Sequence, residues 1–209
     1  MEIIYIILGW LFWILSPGII NYISNHYKKN TLKLIVTTEL NNIKNKLIFL
    51  PLLVYSKYGK LDEKVFNWMR KESQDFKEVE MSIEIKNIFE KQINNPDSLI
   101  SFLQWYNSRH KKDNPGIIFR KMMINSIDSN LINIGILWDK FLEKLLEVKF
   151  QINVFNEEIQ SVNEYWKMTF DSNITESNHQ IILKEIENKN LYIAEKAILI
   201  IEKINTITP

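Results

Sequence analysis

Few stretches of this sequence combine residue types at a spacing that chemistry uses. Glu176-Ser-Asn-His179 has the Glu-x-x-His spacing that sets a carboxylate and an imidazole on one helix face, as in carboxylate-bridged di-iron bundles. Such a centre takes a second copy and further glutamates. His110 has Asn107 at the equivalent position and His26 stands beside an uncharged stretch, so no second copy exists. Three histidines without a cysteine make an equally poor zinc set. Glu176 and His179 are therefore read as solvated groups in the first turn of a helix, and no metal or other cofactor is expected.

Trp105-Tyr106-Asn-Ser-Arg109-His110-Lys111-Lys112 interleaves aromatic rings with positive charge, a mixture that grips lipid phosphates or single-stranded nucleic acid. Cations in the last turn of a helix also complement its dipole, and that simpler assignment is preferred, with membrane phosphate contact as the functional alternative. Asn173-Ile-Thr175 fits a glycosylation sequon, which a cytoplasmic domain would never present to the enzyme. Glu157, Glu158 and Glu164 fall on the wet side of a helix. There is no phosphate-binding glycine loop, nucleophile elbow or Ser/His/Asp arrangement, so an enzyme is not expected.

Charge and cysteine usage narrow the classes further. Of 26 basic and 25 acidic side chains, only Lys28, Lys29 and Glu2 precede residue 31, so the remainder balances at zero. A neutral domain lacks the field that gathers a polynucleotide, and no nucleic-acid partner is expected. The absence of cysteine removes disulfides and thiol catalysis, and fits a reducing compartment.

The element that positions everything else is residues 3–23, which contain no ionisable side chain besides Tyr5 and Tyr22. As a helix this stretch reaches ~31 Å, the thickness of a hydrocarbon layer. It predicts a transmembrane anchor over residues 1–24, containing Ile3, Trp10, Trp13, Pro17 and Ile23, with the lipid bilayer as its partner. Pro17 either kinks or ends this helix; a kink is tolerated if the Ser16 hydroxyl, water or a neighbouring helix takes up the freed carbonyl of Trp13. Glu2 and the lack of a small-x-small cleavage site argue against a signal peptide. Lys28, Lys29 and Lys33 follow the segment, so the positive-inside rule predicts the amino terminus outside and residues 25–209 in the cytoplasm.

Beyond the anchor the pattern is helical throughout. Val36, Leu40, Ile43, Leu47, Leu50 and Val54 alternate in steps of four and three, predicting a helix over 31–58 interrupted at Pro51 and ended by Gly59. Asp62 caps a short helix presenting Val65, Phe66, Trp68 and Met69. A more polar helix is predicted over 73–93, another after Pro96 with Leu99, Ile100, Leu103 and Tyr106, a loop over 111–116, and a helical stretch over 117–127. Ile134, Trp138, Phe141, Leu145, Val148, Ile152, Phe155, Ile159, Val162 and Trp166 keep the four-three alternation unbroken and predict a ~60 Å helix over 131–170. A turn at 171–173 leads into a last helix over 175–204 carrying Ile182, Ile186, Ile193, Ala197, Ile200 and Ile204, antiparallel to the spine.

The expected fold class is all-α, an amino-terminal transmembrane helix followed by an elongated antiparallel bundle with long coiled-coil-like helices. The expected role is a single-pass protein-interaction or assembly module that uses its helical seams on another protein or on itself. The alternative is a membrane-perturbing effector of the toxin or defence kind, whose runs at 47–55 and 132–138 would insert into the bilayer.

Overall fold

The structure is a computed structural model that describes residues 2–73, 99–104, 107–108, 117–129, 137 and 139–208, without the side chains of residues 2–9, 11, 12 and 139. The helices expected over 73–93 and the loop at 111–116 lie largely outside those residues, as do Ile134, Trp138 and the run 132–138 apart from Leu137. Among the described residues the regular structure is all helical: α1 (Glu2–Leu47), α2 (Leu50–Lys57), α3 (Glu63–Glu72), α4 (Asn125–Ser129), α5 (Asp139–Met168) and α6 (Glu176–Asn205), with residues 99–104 and 107–108 also helical.

The anchor stretch and the first seam form one helix. α1 runs unbroken for 46 residues, ~69 Å, with Pro17 inside it. Proline withholds the amide that would bond the carbonyl of Trp13, and the Ser16 hydroxyl donates to that carbonyl instead, at 3.3 Å. Pro17 therefore does not end the helix. The described residues contain no helix long and apolar enough to cross a membrane, so the spanning segment expected over 3–23 is not found among them. The side chains of residues 3–9, 11 and 12, a large part of that stretch, lie outside the description.

α1 stops at Leu47, and α2 restarts three residues later with Pro51 in its first turn, where a missing amide costs no helical bond. Gly59, at φ 65°, ends α2: its amide donates to the Ser56 carbonyl at 3.0 Å and that of Lys60 to Tyr55 at 2.7 Å, the paired bonds of a Schellman cap. α3 begins on Asp62, whose carboxylate accepts from the Val65 amide at 2.8 Å. Phe66 and Met69 are buried beneath it, and the Phe66 ring meets that of Phe102 edge-on at 5.8 Å.

α5 and α6 form an antiparallel pair joined by the turn at 169–175, in which the Asp171 carboxylate accepts from the Asn173 amide. Lys144 reaches the carbonyl of Thr206 and Lys189 pairs with Glu158 at 2.9 Å, so positions rise on one helix as they fall on the other. Thr175 caps α6, accepting from the Asn178 amide. α5 has 30 residues, ~45 Å, shorter than the ~60 Å expected because its described part begins at Asp139. Leu145, Val148, Ile152, Phe155, Ile159 and Val162 are buried on it; Phe141 and Trp166 at its two ends are half-buried against the core. From the other side, α6 packs on α2 and on the second half of α1, where Leu32, Val36, Leu40, Ile43 and Leu47 are buried.

Residues 117–124 are not the helix expected over 117–127; only Asn125–Ser129 is helical. The cause is Asn156 on α5. Its side-chain oxygen accepts from the Met122 amide at 2.8 Å and its nitrogen donates to the Met122 carbonyl at 2.7 Å, taking both backbone groups that a helix would use internally. Phe119, Ile124 and Ile127 are buried along this strap, and Glu39 on α1 accepts from both the amide and the hydroxyl of Ser126.

The burial pattern sets an expectation for single changes. Phe155→Ala empties a fully buried site and should destabilise the chain by ~3–5 kcal/mol, whereas Glu157→Ala, two residues on and exposed, should stay within ~0.5 kcal/mol. Half-buried Phe141 should fall between them, which denaturant unfolding of the three variants would check.

Candidate functional site

The two halves of α1 obey different rules. From Leu32 onward the buried positions follow steps of three and four, so one face of the helix meets the bundle. Before it, Trp10, Trp13, Ile14, Leu15, Ile19, Ile20, Tyr22 and Ile23 are all exposed, Trp13 at 73 % and Tyr22 at 73 %. At about 100° per residue these side chains point to every quarter of the circumference. Gly18 is open as well, since a Cβ there would meet nothing within 4 Å. The described first half of α1 is thus an apolar rod that no other described element covers.

The rod changes character at its inner end. Tyr22 stacks on His26 with ring centroids 6.4 Å apart, and His26 Nε2 meets Asn30 Nδ2 at 3.1 Å, a ladder at steps of four residues. Tyr27 is 75 % exposed beside it. Lys28, Lys29 and Lys33 follow, Lys28 and Lys33 exposed and Lys29 half-buried, with the Lys33 ammonium 5.4 Å from the Phe141 ring centroid. Aromatic rings next to the apolar rod, then cations, is the order of chemistries across a bilayer boundary. The side chain of Ile3 lies outside the described residues.

The other sequence candidates separate. Glu176 accepts from Gln180 at 2.9 Å, and no group of three or more potential metal-ligating side chains exists among the described residues. Trp105, Tyr106 and the cations of 109–112 lie outside them; Asn107 donates to the Leu61 carbonyl at 3.0 Å. Glu158 is paired with Lys189, Glu164 accepts from Gln160, and Glu157 is exposed.

The seam contains one polar residue that the apolar pattern passed over. Asn190 stands between Ile186 and Ile193, at the step where the alternation requires a core position, and it is fully buried. Its nitrogen donates to the Tyr58 hydroxyl at 2.7 Å, while its oxygen has no partner among the described residues. Burial raises the phenol of Tyr58 above its ordinary value, Glu187 adds to that, and the Asn190 bond opposes both. Next to it, Lys57 lies 5.8 Å from the Tyr58 ring and 5.7 Å from the Trp166 ring, and burial lowers its ammonium from the ordinary value. This cluster fixes α2 against α5 and α6; it holds no nucleophile, base and oxyanion donor in one arrangement.

No protein-family model, curated protein or solved structure matches this chain.

Tyr58→Phe leaves the buried Asn190 amide without its acceptor and should cost ~1–3 kcal/mol, whereas Tyr58→Phe with Asn190→Leu should recover most of that loss. A double-mutant cycle on unfolding midpoints tests the pair. The sign of the alkaline effect also follows. A phenol raised in the folded state ionises first in the unfolded chain, near pH ~10, so its contribution is intact below that value and is lost as pH rises through the folded one. Tyr58→Phe should lessen the fall in stability above pH ~10, measured by denaturant titration against pH.

Proposed function

We propose that the chain is a single-pass membrane protein: the first half of α1 is its anchor, with the amino terminus outside, and the helical bundle is an interaction or assembly module at the cytoplasmic face. The observation that carries this reading is the apolar rod. A helix apolar all round is stable only when protein or lipid surrounds it, and in water such a surface far exceeds the patches that soluble monomers leave open. Residues 3–9, 11 and 12 extend the same character in sequence, with no charge between Glu2 and Lys28. A bilayer supplies a partner on every side; a protein groove would cover one face and leave the rest wet.

Lys28, Lys29 and Lys33 support the orientation. The interaction role is supported by an all-helical bundle without catalytic geometry among the described residues and by apolar side chains left on its outer face, Leu146 and Phe150 on α5 and Phe170 at the turn. The effector alternative fares less well. Leu50, Pro51, Leu52 and Val54 of the run 47–55 are core, so inserting it would dismantle the bundle.

Deleting residues 1–24 should convert a carbonate-resistant membrane protein into one recovered from the supernatant, with its helical circular dichroism retained. Retention of the shortened chain in the membrane pellet at high salt would favour the effector reading. In intact cells, protease added outside should leave the Lys111-Lys112 stretch uncut; cleavage there would reverse the orientation.

A further inference from the structure

A concavity lies on the bundle, away from the apolar rod. It has a volume of about 620 Å³ and opens where α1 breaks into α2, walled opposite by the strap at 117–122. Its floor and sides are apolar, with Phe49, Leu53, Ile117 and Met122 among them. The polar groups are Asn42, Asn45, Lys46 and Arg120, and among the described residues no carboxylate lines it. Ile118, 88 % exposed, stands at its lip.

The two cations decide what such a trough would take. Lys44, only two residues from Lys46, pairs with Glu72 at 3.0 Å, whereas Lys46 and Arg120 are exposed and have no ion-pair partner among the described residues. Apolar walls beside two uncompensated positive charges complement a molecule with an apolar body and an anionic head. Size separates the candidate occupants. Eleven residues line the trough, fewer than the ~20–30 that a stable protein partner covers, while its volume falls within the ~300–1,000 Å³ of small-molecule sites.

We propose that this trough binds a single-chain anionic amphiphile of the fatty-acid kind, its chain along Phe49, Leu53, Ile117 and Met122 and its head between Lys46 and Arg120. The site is ~35 Å along the helix from Ile23, too far for a lipid still seated in the bilayer around the anchor, so the ligand arrives as a free or extracted molecule. Binding here would join the α1/α2 break to the strap and tie the occupancy of the bundle to the supply of free amphiphile.

The probes are palmitate and hexadecanol, which share a chain and differ in head charge. Phosphatidylcholine nanodiscs carrying the full chain, corrected for uptake by empty nanodiscs, should bind palmitate saturably at one per chain and hexadecanol at least ~10-fold more weakly, the factor expected for a lost charge-assisted contact. Lys46→Gln with Arg120→Gln should abolish that preference. Both substitutions are at exposed positions, and circular dichroism would confirm the fold; the comparison of the two probes on the unaltered chain is decisive even if the variant misfolds. Equal binding of both probes, no saturable excess over empty nanodiscs, or a preference that persists in a folded double variant would overturn the proposal. So would crosslinked dimers, or a captured acidic protein, that depend on Lys46 and Arg120 and that palmitate does not displace.

Discussion

Every backbone group between Glu2 and Leu47 must be satisfied along one helix if that helix is to be a single rod, and Pro17 is the position at which this would fail. Its ring removes one donor and crowds the carbonyl of Trp13; the hydroxyl of Ser16 takes that carbonyl up. Continuity follows, and with it the relation of the two halves of α1. Whatever surrounds the apolar half is coupled to the bundle through a stiff helix and not through a linker. The base of the bundle, where Lys33 lies by the Phe141 ring and Lys44 meets Asn205, is the end from which the rod departs. The turn at 169–175 lies at the other end of the paired helices, ~45 Å away.

The bundle itself is held by one continuous core with few polar insertions. α6 is its centre: α5 covers one side of it, α2 and the second half of α1 the other. Asn190 interrupts that apolar seam, and a polar residue in a seam position fixes register, because only one alignment gives it a partner. Here the partner is Tyr58, at the end of α2, so the pair ties the position of the short helix to one level of the long one. Asn156 plays the matching part on α5, giving the strap at 117–124 the backbone partners that a helix would have supplied from within.

Local chemistry was readable in the sequence where the deciding partners are neighbours. Asp62 capping α3, Gly59 closing α2, Pro51 restarting the helix and the turn before Thr175 all depend on residues within a few positions of one another. The buried faces were readable too, since Val36, Leu40, Ile43 and Leu47, like Leu145 through Val162, are fixed by helical period. What depends on distant residues was not. The strap has the composition of a helix and is held open by an asparagine 34 positions away. The trough with Lys46 and Arg120 needs two segments far apart in sequence. Asn190 is intermediate: the empty step between Ile186 and Ile193 marked its position, but nothing nearby named Tyr58. The candidate anchor was legible as an uncharged stretch, while its fusion with the first seam into one helix was not, because nothing at residues 24–31 except helix-compatible polar residues signals the join.

If the first half of α1 is an anchor, one helix passes from a medium that touches it on all sides to a core that touches it on one. Nitroxide labels placed singly from residue 10 to residue 47, in the full chain reconstituted into vesicles, report this directly through their accessibility to oxygen and to a water-soluble nickel chelate. High oxygen and low nickel accessibility are expected at every label from 10 to 23, without helical periodicity. From residue 32 a 3.6-residue period should appear, with positions 36, 40, 43 and 47 shielded from both. Nickel accessibility recurring along one face between residues 10 and 23 would place that half of α1 at a water interface and rule out a spanning anchor.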